Sequence, residues 1–211
     1  MSELCHDLHQ LFNRLERFRF PFDESRIPRN GIYILFEAGE RAHGGDRIVR
    51  VGTHTGQNQL RSRLRQHFVQ ENKDRSIFRK NIGRALLARA GDPFLEQWEW
   101  DLTPRANRER YGPLVDRAKL SQVERWVTET IQGNFSFVVF RVDDKDQRLR
   151  LESRIISTVS WCEECGPSPN WLGLYSPKKK IRESGLWLVN ELWKEPLTAE
   201  EFDELKLLVR E

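Results

Sequence analysis

GIYILFE (31–37) is rich in β-branched and aromatic residues, which predict the strand on which the fold is built. A turn-rich stretch containing Gly44-Gly45-Asp46 follows, and then a second apolar run, RIVRVG (47–52). Two such runs joined by a glycine-containing loop predict an antiparallel hairpin. FSFVVFRV (135–142) predicts a third strand, so the sequence indicates a small antiparallel sheet.

Apolar residues at helical spacing predict helices around this sheet, at residues 4–18, 60–68, 77–90, 120–132, 151–160 and 199–210. The stretch 94–100 fits either a short strand or irregular aromatic packing. These elements predict an α+β fold in which helices flank a small central antiparallel sheet of about three core strands. Since no repeat or linker is visible, we expect one domain over residues 1–211, with a core (30–90 and 135–173), an N-terminal helical segment (1–29), an insertion (91–134) and a C-terminal extension (174–211).

Composition narrows the function classes. Of the 211 residues, 38% are hydrophobic and 32% are charged, which is typical of a globular protein with a highly charged surface. Seven Trp and twelve Phe exclude a chain that is disordered throughout, and no apolar run is long enough for a membrane span. The polar N-terminus and the three cysteines favour an unexported protein in a reducing compartment, so we expect a cytoplasmic location. The formal net charge of +3 is compatible with a nucleic-acid partner without requiring one.

The helix predicted at 60–68 carries the first candidate functional residues. Leu60, Leu64 and Phe68 form its apolar stripe, and Arg63 and His67 lie one turn apart at the border of that stripe. An arginine at such a border can bind two oxygens of one phosphate with its planar donors. A solvated basic helix without a function remains the alternative.

The helix predicted at 151–160 carries the second. Glu152 projects within a face that is otherwise formed by Leu151, Ile155, Ile156 and Val159. Carboxylates are seldom buried without an ionic partner or a metal. The pattern therefore leaves two interpretations of Glu152 open, a buried salt bridge and a ligand for a hard cation such as Mg²⁺.

In this order along the chain, these residues resemble those of the GIY-YIG nucleases. Gly31-Ile32-Tyr33 lies on the first predicted strand, Val51-Gly52 ends the second, and LRSRLRQH (60–67) and Glu152 lie on later helices. Shorter stretches, namely RVGTHTG, SIFRKNIGRAL, LESRIIS, PNWLG and ESGLW, are similar to a subgroup of prokaryotic GIY-YIG domain proteins. The resemblance implies a divalent-metal-dependent DNA endonuclease that uses one Mg²⁺ or Mn²⁺.

The resemblance also implies a role for each matching residue. Tyr33 would deprotonate or orient the attacking water, which requires a neighbouring base or cation because a tyrosine hydroxyl ordinarily titrates near about pH 10. His67 would accept that proton or hold Tyr33, and Arg63 would bind the scissile phosphate. Glu152 would hold the metal that stabilises the leaving 3′-oxygen. Asn170 is the candidate for the family's terminal asparagine, which supports the site.

Two residues depart from the family pattern. Arg50 stands where the second tyrosine of the motif is expected, and strand alternation predicts that it faces the same side as Tyr33. It is either a further phosphate contact or the mark of a site altered from nuclease chemistry. A lysine often follows the corresponding glycine in relatives, whereas Thr53-His54-Thr55 follows Gly52 here. His54 is therefore a second candidate base, with a loop histidine of no catalytic role as the alternative.

Basic residues around the Arg63 helix predict a groove for DNA phosphates. The candidates for these contacts are Arg50, Arg61, Arg65, Arg79 and Lys80, with Arg75, Arg84 and Lys178-Lys179-Lys180 beside them. A solvated charged surface is the alternative. Whether the DNA is duplex or branched stays open. The insertion 91–134 has three roles open to it, which are contacting DNA, covering the site and forming a homodimer.

The cysteines form one CxxC, at Cys162 and Cys165, and Cys5 lies one helical turn from His9. A Cys₃His zinc site is conceivable, and free thiols are the alternative.

Three functions remain in competition. The first is an active endonuclease, the second is a nucleic-acid-binding module that kept the fold and lost the chemistry, and the third is an interaction protein that does not bind nucleic acid.

Overall fold

The computed structural model describes residues 2–210, apart from the side chain of the last of these. The described chain is α+β, as the sequence predicts. It contains four strands, β1 (Phe18–Arg19), β2 (Gly31–Ala42), β3 (Gly45–Gly52) and β4 (Phe135–Arg141). Its nine α-helices are α1 (Ser2–Asn13), α2 (Leu60–Phe68), α3 (Ile77–Ala90), α4 (Leu95–Glu99), α5 (Arg105–Tyr111), α6 (Arg117–Asn134), α7 (Lys145–Ser160), α8 (Lys179–Ser184) and α9 (Ala199–Arg210).

The strands form one sheet in the order β1-β4-β2-β3, and every neighbouring pair is antiparallel. In the β2–β3 hairpin Tyr33 pairs with Gly52 and Leu35 pairs with Arg50. His43 and Gly44 close this hairpin with backbone φ angles of 51° and 76°, a region that glycine adopts without strain. The register therefore brings Arg50 to the same face as Tyr33, as strand alternation predicts.

Each face of the sheet carries its own apolar core. On one face, Tyr33 and Leu35 pack with residues of α2, α3, α4 and α6. On the other face, Ile32 and Ile34 pack with residues of α1, α7 and α9. The alternation of side chains along β2 thus separates the two cores, and it directs Tyr33 toward the helix that carries Arg63 and His67.

The structure corrects the sequence prediction at several elements. The first helix ends at Asn13 instead of 18, because Phe18–Arg19 pairs with β4 as a fourth strand. Strand β2 continues to Ala42 through the stretch predicted as a turn. The stretch 94–100 contains helix α4, packed on α3, where neither predicted alternative was helical. Helix α7 begins at Lys145, where the Asp144 carboxylate caps it by accepting from the Gln147 N–H.

None of the helices within residues 2–210 is long and apolar enough to cross a membrane.

Candidate active site

Tyr33 and His67 form a buried pair between strand β2 and helix α2. The Tyr33 hydroxyl oxygen lies 2.7 Å from His67 Nε2, and both side chains are fully buried. Gly52, the cross-strand partner of Tyr33, leaves room for the phenol ring, because a Cβ at this position would lie 2.2 Å from the Tyr33 oxygen. The glycine that ends β3 therefore serves the packing of Tyr33.

His67 is held at its second ring nitrogen as well. His67 Nδ1 lies 2.7 Å from Ser76 Oγ, and Ser76 caps helix α3 by accepting from the Arg79 N–H. Burial lowers the pKa of His67 well below its usual value, and the charges of Arg63, Arg50 and Arg79 lower it further. These effects favour the neutral imidazole, whose Nε2 can accept a hydrogen bond from the Tyr33 hydroxyl.

Arg50 reaches Tyr33 from strand β3. Its Nε donates to the Tyr33 hydroxyl oxygen at 3.5 Å, and its Nη1 donates a short hydrogen bond to the Trp187 carbonyl oxygen. Arg50 is only 6% exposed, yet it lines a surface cavity that also contains Glu152. It is therefore the residue that contacts both the Tyr33–His67 pair and the cavity.

Glu152 lies at the junction of two adjoining cavities of about 490 and 450 Å³, and Arg63 and Leu149 line both of them. We call the two cavities together the Glu152 cleft. Burial raises the pKa of Glu152 to about 7, against the opposing effects of Arg50, of a backbone hydrogen bond from Thr53 and of Arg63. No ion pair to Glu152 is found within residues 2–210, so the salt-bridge alternative does not account for this partly buried carboxylate.

The Glu152 cleft fits a hydrated divalent cation. Mg²⁺ dehydrates reluctantly, and in phosphoryl-transfer sites one or two carboxylates with several waters commonly hold it. A partly buried carboxylate free of an ion pair, at the wall of a polar and open cavity, is a donor of this kind. Glu191 lies close enough to raise the pKa of Glu152, but its own carboxylate accepts from Ser153 and pairs with Lys194. Glu152 is thus the available ligand.

Arg63 places its guanidinium in the same cleft. It is partly buried, and its Nη1 donates to Gln66 Oε1 and to the Arg75 carbonyl oxygen, each at 3.1 Å. Neither acceptor carries a charge, and no ion pair to Arg63 occurs among the described residues. A phosphate group that enters the cleft would therefore meet an arginine whose charge is not neutralised.

The structure places His54 at the wall of the Glu152 cleft but engages both of its ring nitrogens, and it places Asn170 away from this cleft. His54 Nδ1 donates to the Gly56 carbonyl oxygen at 2.6 Å, and its Nε2 accepts from the Gly31 N–H at 3.3 Å. With both nitrogens engaged by backbone, His54 shapes the loop after β3 and is not a free base. Asn170 is exposed and lines a different cavity, beside Glu37 and Trp171.

Two of the basic residues expected to contact DNA are buried in ion pairs. Arg79 is fully buried and binds Glu124 with an Nη2–Oε2 distance of 2.8 Å. Lys80 is 8% exposed and donates to the Glu99 carbonyl oxygen at 2.9 Å. Both side chains are engaged inside the protein, so the structure does not present Arg79 or Lys80 to a phosphate. Glu124 belongs to the insertion, whereas the acidic partner of Lys80 is Asp74 in the loop before α3, at 3.5 Å.

The remaining basic candidates, on α2 and after it, differ in their exposure and in their partners. Arg61 is partly buried and donates to the carbonyl oxygens of Ile27 and Ser25, at 2.7 and 3.2 Å, so it anchors the loop before β2. Arg65 is exposed and lies 3.7 Å from a carboxylate oxygen of Glu24. Arg75 is exposed and lines the Glu152 cleft beside Arg63.

Asn81 is a residue of the cleft that sequence reasoning missed. It is 1% exposed and lines the cavity that contains Arg50, Arg63 and Glu152. Its Oδ1 accepts from Arg84, whereas its Nδ2 is a buried donor without a partner among the described residues. Buried donors are rarely left unpaired outside functional sites. Asn81 directly follows Arg79 and Lys80, so no local sequence pattern singles it out.

The fold and the cleft together indicate the class of GIY-YIG nuclease-type domains. The sheet is small and antiparallel, a strand tyrosine is paired to a helix histidine, and arginine and glutamate line the cleft beside them. A family model described as the GIY-YIG domain matches residues 1–211, so the chain belongs to this family over its whole length. GIY-YIG domains are in general divalent-metal-dependent nucleases that act on DNA. No curated protein and no solved structure is significantly similar to the chain.

Proposed function

We propose that this protein is a DNA endonuclease that hydrolyses phosphodiester bonds in the Glu152 cleft with one Mg²⁺ or Mn²⁺. The observation that carries the proposal is the Glu152 carboxylate, which is partly buried, forms no ion pair within the described chain and shares its cleft with Arg63. Keeping such a carboxylate costs stability unless it binds something, and a hydrated cation next to a phosphate would satisfy it.

Each side chain around the cleft has its own role in hydrolysis. Arg63 binds the scissile phosphate through its uncompensated guanidinium. A divalent metal on Glu152 would supply positive charge at the leaving 3′-oxygen. Asn81 offers its unpartnered Nδ2 as a further hydrogen-bond donor to the phosphate or to an ordered water.

Tyr33 and His67 supply the base. As the oxygen of the attacking water bonds to phosphorus, the bond from phosphorus to the 3′-oxygen breaks and the 3′-oxygen leaves with the electron pair. One water proton passes to the Tyr33 oxygen while the Tyr33 proton passes to His67 Nε2 across the 2.7 Å contact. Arg50 contacts the Tyr33 oxygen and lines the cleft, so its charge stabilises negative charge that develops between them. Arg50 thus stands in place of the second tyrosine of the motif, and its positive charge lies between the Tyr33–His67 pair and the substrate.

Outside the cleft floor, Arg75 and Arg65 are the exposed arginines placed to contact flanking phosphates, and Arg75 lies on the cleft wall itself. Such contacts position a duplex without reading its sequence.

A panel of DNA structures tests the proposal. Supercoiled plasmid, linear duplex, branched and single-stranded DNA are incubated with the full chain and either Mg²⁺, Mn²⁺ or a chelator. We expect nicking or cleavage of at least one substrate with metal and none with chelator. Cleavage that persists in chelator would contradict a metal-dependent mechanism.

A second function, DNA binding without cleavage, is favoured by one observation. Tyr33 is fully buried, and Arg50 lies between it and the cleft. If the proton of water cannot reach Tyr33 past Arg50, the cleft would still bind phosphate through Arg63. This alternative predicts salt-sensitive DNA affinity that chelator does not change, together with intact DNA on every substrate of the panel.

A further inference from the structure

A second group of chemically reactive side chains lies outside the Glu152 cleft. It consists of five sulfur and nitrogen donors, which we call the thiol–imidazole cluster: Cys5 and His9 on α1, His43 in the β2–β3 turn, and Cys162 and Cys165 just after α7. None of these residues lines the Glu152 cleft, and the proposed hydrolysis uses none of them.

The donor atoms of this cluster converge. Cys5 Sγ lies 3.3 Å from Cys165 Sγ, and Cys165 Sγ lies 3.2 Å from His43 Nε2. Cys162 Sγ lies 3.4 Å from the same His43 nitrogen. One ligand atom each from Cys5, His9, His43 and Cys165 can be chosen so that all four lie within 4.8 Å of one another. Separations of this size are those of ligands around one tetrahedral ion.

The chemistry of the donors selects the ion. Thiolate and imidazole ligands in a four-coordinate, closed arrangement favour Zn²⁺ over the hard cations Mg²⁺ and Ca²⁺. The cluster is closed, because Cys5 and His9 are fully buried and Cys165 is 3% exposed. A closed site of this composition is structural in character, since a catalytic zinc keeps a position open to solvent.

His43 also has the outer contact that is usual for a zinc-bound histidine. Its Nε2 faces the two thiols of the CxxC, while its Nδ1 lies 3.6 Å from a carboxylate oxygen of Glu164. A carboxylate on the far nitrogen fixes the tautomer that leaves Nε2 free for the metal. The two residues between the cysteines therefore contribute a carboxylate that orients the ligand histidine.

Five donors compete for four positions, and the hydrogen bonds of His9 decide between the two candidates for the last one. His9 Nδ1 donates to the Cys5 carbonyl oxygen at 2.9 Å, and its Nε2 accepts from the Ile48 N–H at 3.2 Å. A neutral imidazole with both nitrogens engaged has no lone pair left for a metal. The Cys162 sulfur also takes part in a backbone hydrogen bond, with Glu164, but a thiolate sulfur keeps further lone pairs for a metal.

We propose that Cys5, Cys162, Cys165 and His43 hold one structural Zn²⁺, and that His9 supports the site by fixing α1 against strand β3. The ion joins the N-terminal helix, the β2–β3 turn and the end of α7. Cys5 and Cys165 are 160 positions apart in sequence, and His43 and Cys162 are 119 apart. Zinc thereby joins these three segments on the face of the sheet opposite Tyr33, where no strand pairing links them.

Metal analysis of the full-length protein, purified under reducing conditions without chelator, tests the proposal. We expect one zinc per chain, and X-ray absorption at the zinc edge should show three sulfur ligands at about 2.3 Å and one nitrogen at about 2.0–2.1 Å. Chelation should lower the midpoint of thermal unfolding, and one equivalent of Zn²⁺ should restore it. These readouts do not involve DNA, so their failure would leave the Glu152 cleft unaffected.

Substitutions test the ligand assignment. Cys162→Ser and Cys165→Ser should lose zinc, whereas His9→Ala should retain it, as should the control Asp7→Asn at an exposed position of the same helix. Loss of zinc in His9→Ala with retention in Cys162→Ser, or an absorption spectrum with two sulfurs and two nitrogens, would overturn the assignment. A wild-type chain that takes up no zinc, or that carries a Cys5–Cys165 disulfide in its place, would overturn the site. If the serine variants do not fold, the wild-type absorption spectrum decides alone.

Discussion

The Tyr33 hydroxyl oxygen lies 2.7 Å from Nε2 of His67, and neither side chain is exposed to solvent. The pair is held from both ends, by Ser76 at His67 Nδ1 and by Arg50 at the Tyr33 oxygen. In the proposed reaction this contact carries the proton away from the attacking water. The same contact also contributes to stability, because it satisfies two polar groups inside an apolar core.

Tyr33→Phe separates these two contributions. The substitution leaves His67 Nε2 without a partner in a buried pocket, which should cost about 1–3 kcal/mol in the free energy of unfolding measured with urea. DNA cleavage by the folded variant should fall by roughly 10²–10⁴-fold, as expected for loss of a general base. Tyr175→Phe, at a half-exposed tyrosine, is the matched control and should change neither quantity. Cleavage at the wild-type rate in Tyr33→Phe would remove Tyr33 from the mechanism.

Arg63→Ala should weaken DNA binding through the loss of one phosphate contact. Affinity measured in chelator, so that the DNA stays intact, should decrease at low salt. The slope of log affinity against log salt concentration should become shallower by about one unit. Arg14→Ala, at an exposed arginine just after α1, is the control. An unchanged salt slope in Arg63→Ala would mean that this guanidinium does not meet a phosphate.

Metal affinity should depend on pH through Glu152. Burial raises the pKa of this carboxyl to about 7. The metal must displace a proton below that pH, so affinity for Mn²⁺ should fall about tenfold for each pH unit below it and level off above it. Arg50 lowers the pKa of Glu152, so Arg50→Ala should move the break in the curve to higher pH. Calorimetric titration at several pH values measures both curves, and a break at the same pH in the variant would contradict the coupling.

Asn81→Asp tests the unpartnered donor of the cleft. The substitution keeps the shape of the side chain and the acceptor for Arg84, but it replaces Nδ2 with a carboxylate oxygen beside the phosphate position. We expect DNA affinity to fall on the order of tenfold or more, since a negative charge then faces the phosphate. Asn134→Asp, at an exposed asparagine, introduces the same charge outside the cleft and should bind DNA as the wild type does. Equal affinities of the two variants would exclude Asn81 from the binding surface.

The parts of the fold that sequence predicts well are those encoded locally. The apolar stripe of α2 and the alternation along β2 follow from helical and strand periodicity, and each needs only a few neighbouring residues. Those two patterns place Tyr33, Arg63 and His67 on facing elements. Glu152 stands out for the same reason, as a charge within an apolar helical face.

The remaining features depend on contacts between distant segments. Arg79 reads as a surface charge because its partner Glu124 is 45 positions away, in a segment whose packing no local pattern reveals. The sequence does not indicate His43 as a metal ligand, because it is a single residue in a turn, 119 positions before Cys162. Spacing alone proposes His9 instead, one helical turn from Cys5. Only the hydrogen bonds of each ring distinguish the two histidines.

Cleavage by Glu152→Gln tests directly whether the carboxylate of Glu152 holds a catalytic metal. The rate is measured on the best DNA substrate at saturating Mn²⁺, beside the wild type and the control Glu129→Gln at an exposed position of α6. Glutamine keeps the size of the side chain and removes its charge. We expect Glu152→Gln to lose at least about a hundredfold in rate while it still binds DNA, and Glu129→Gln to cleave normally. Cleavage by Glu152→Gln at the wild-type rate would mean that this carboxylate holds no catalytic metal.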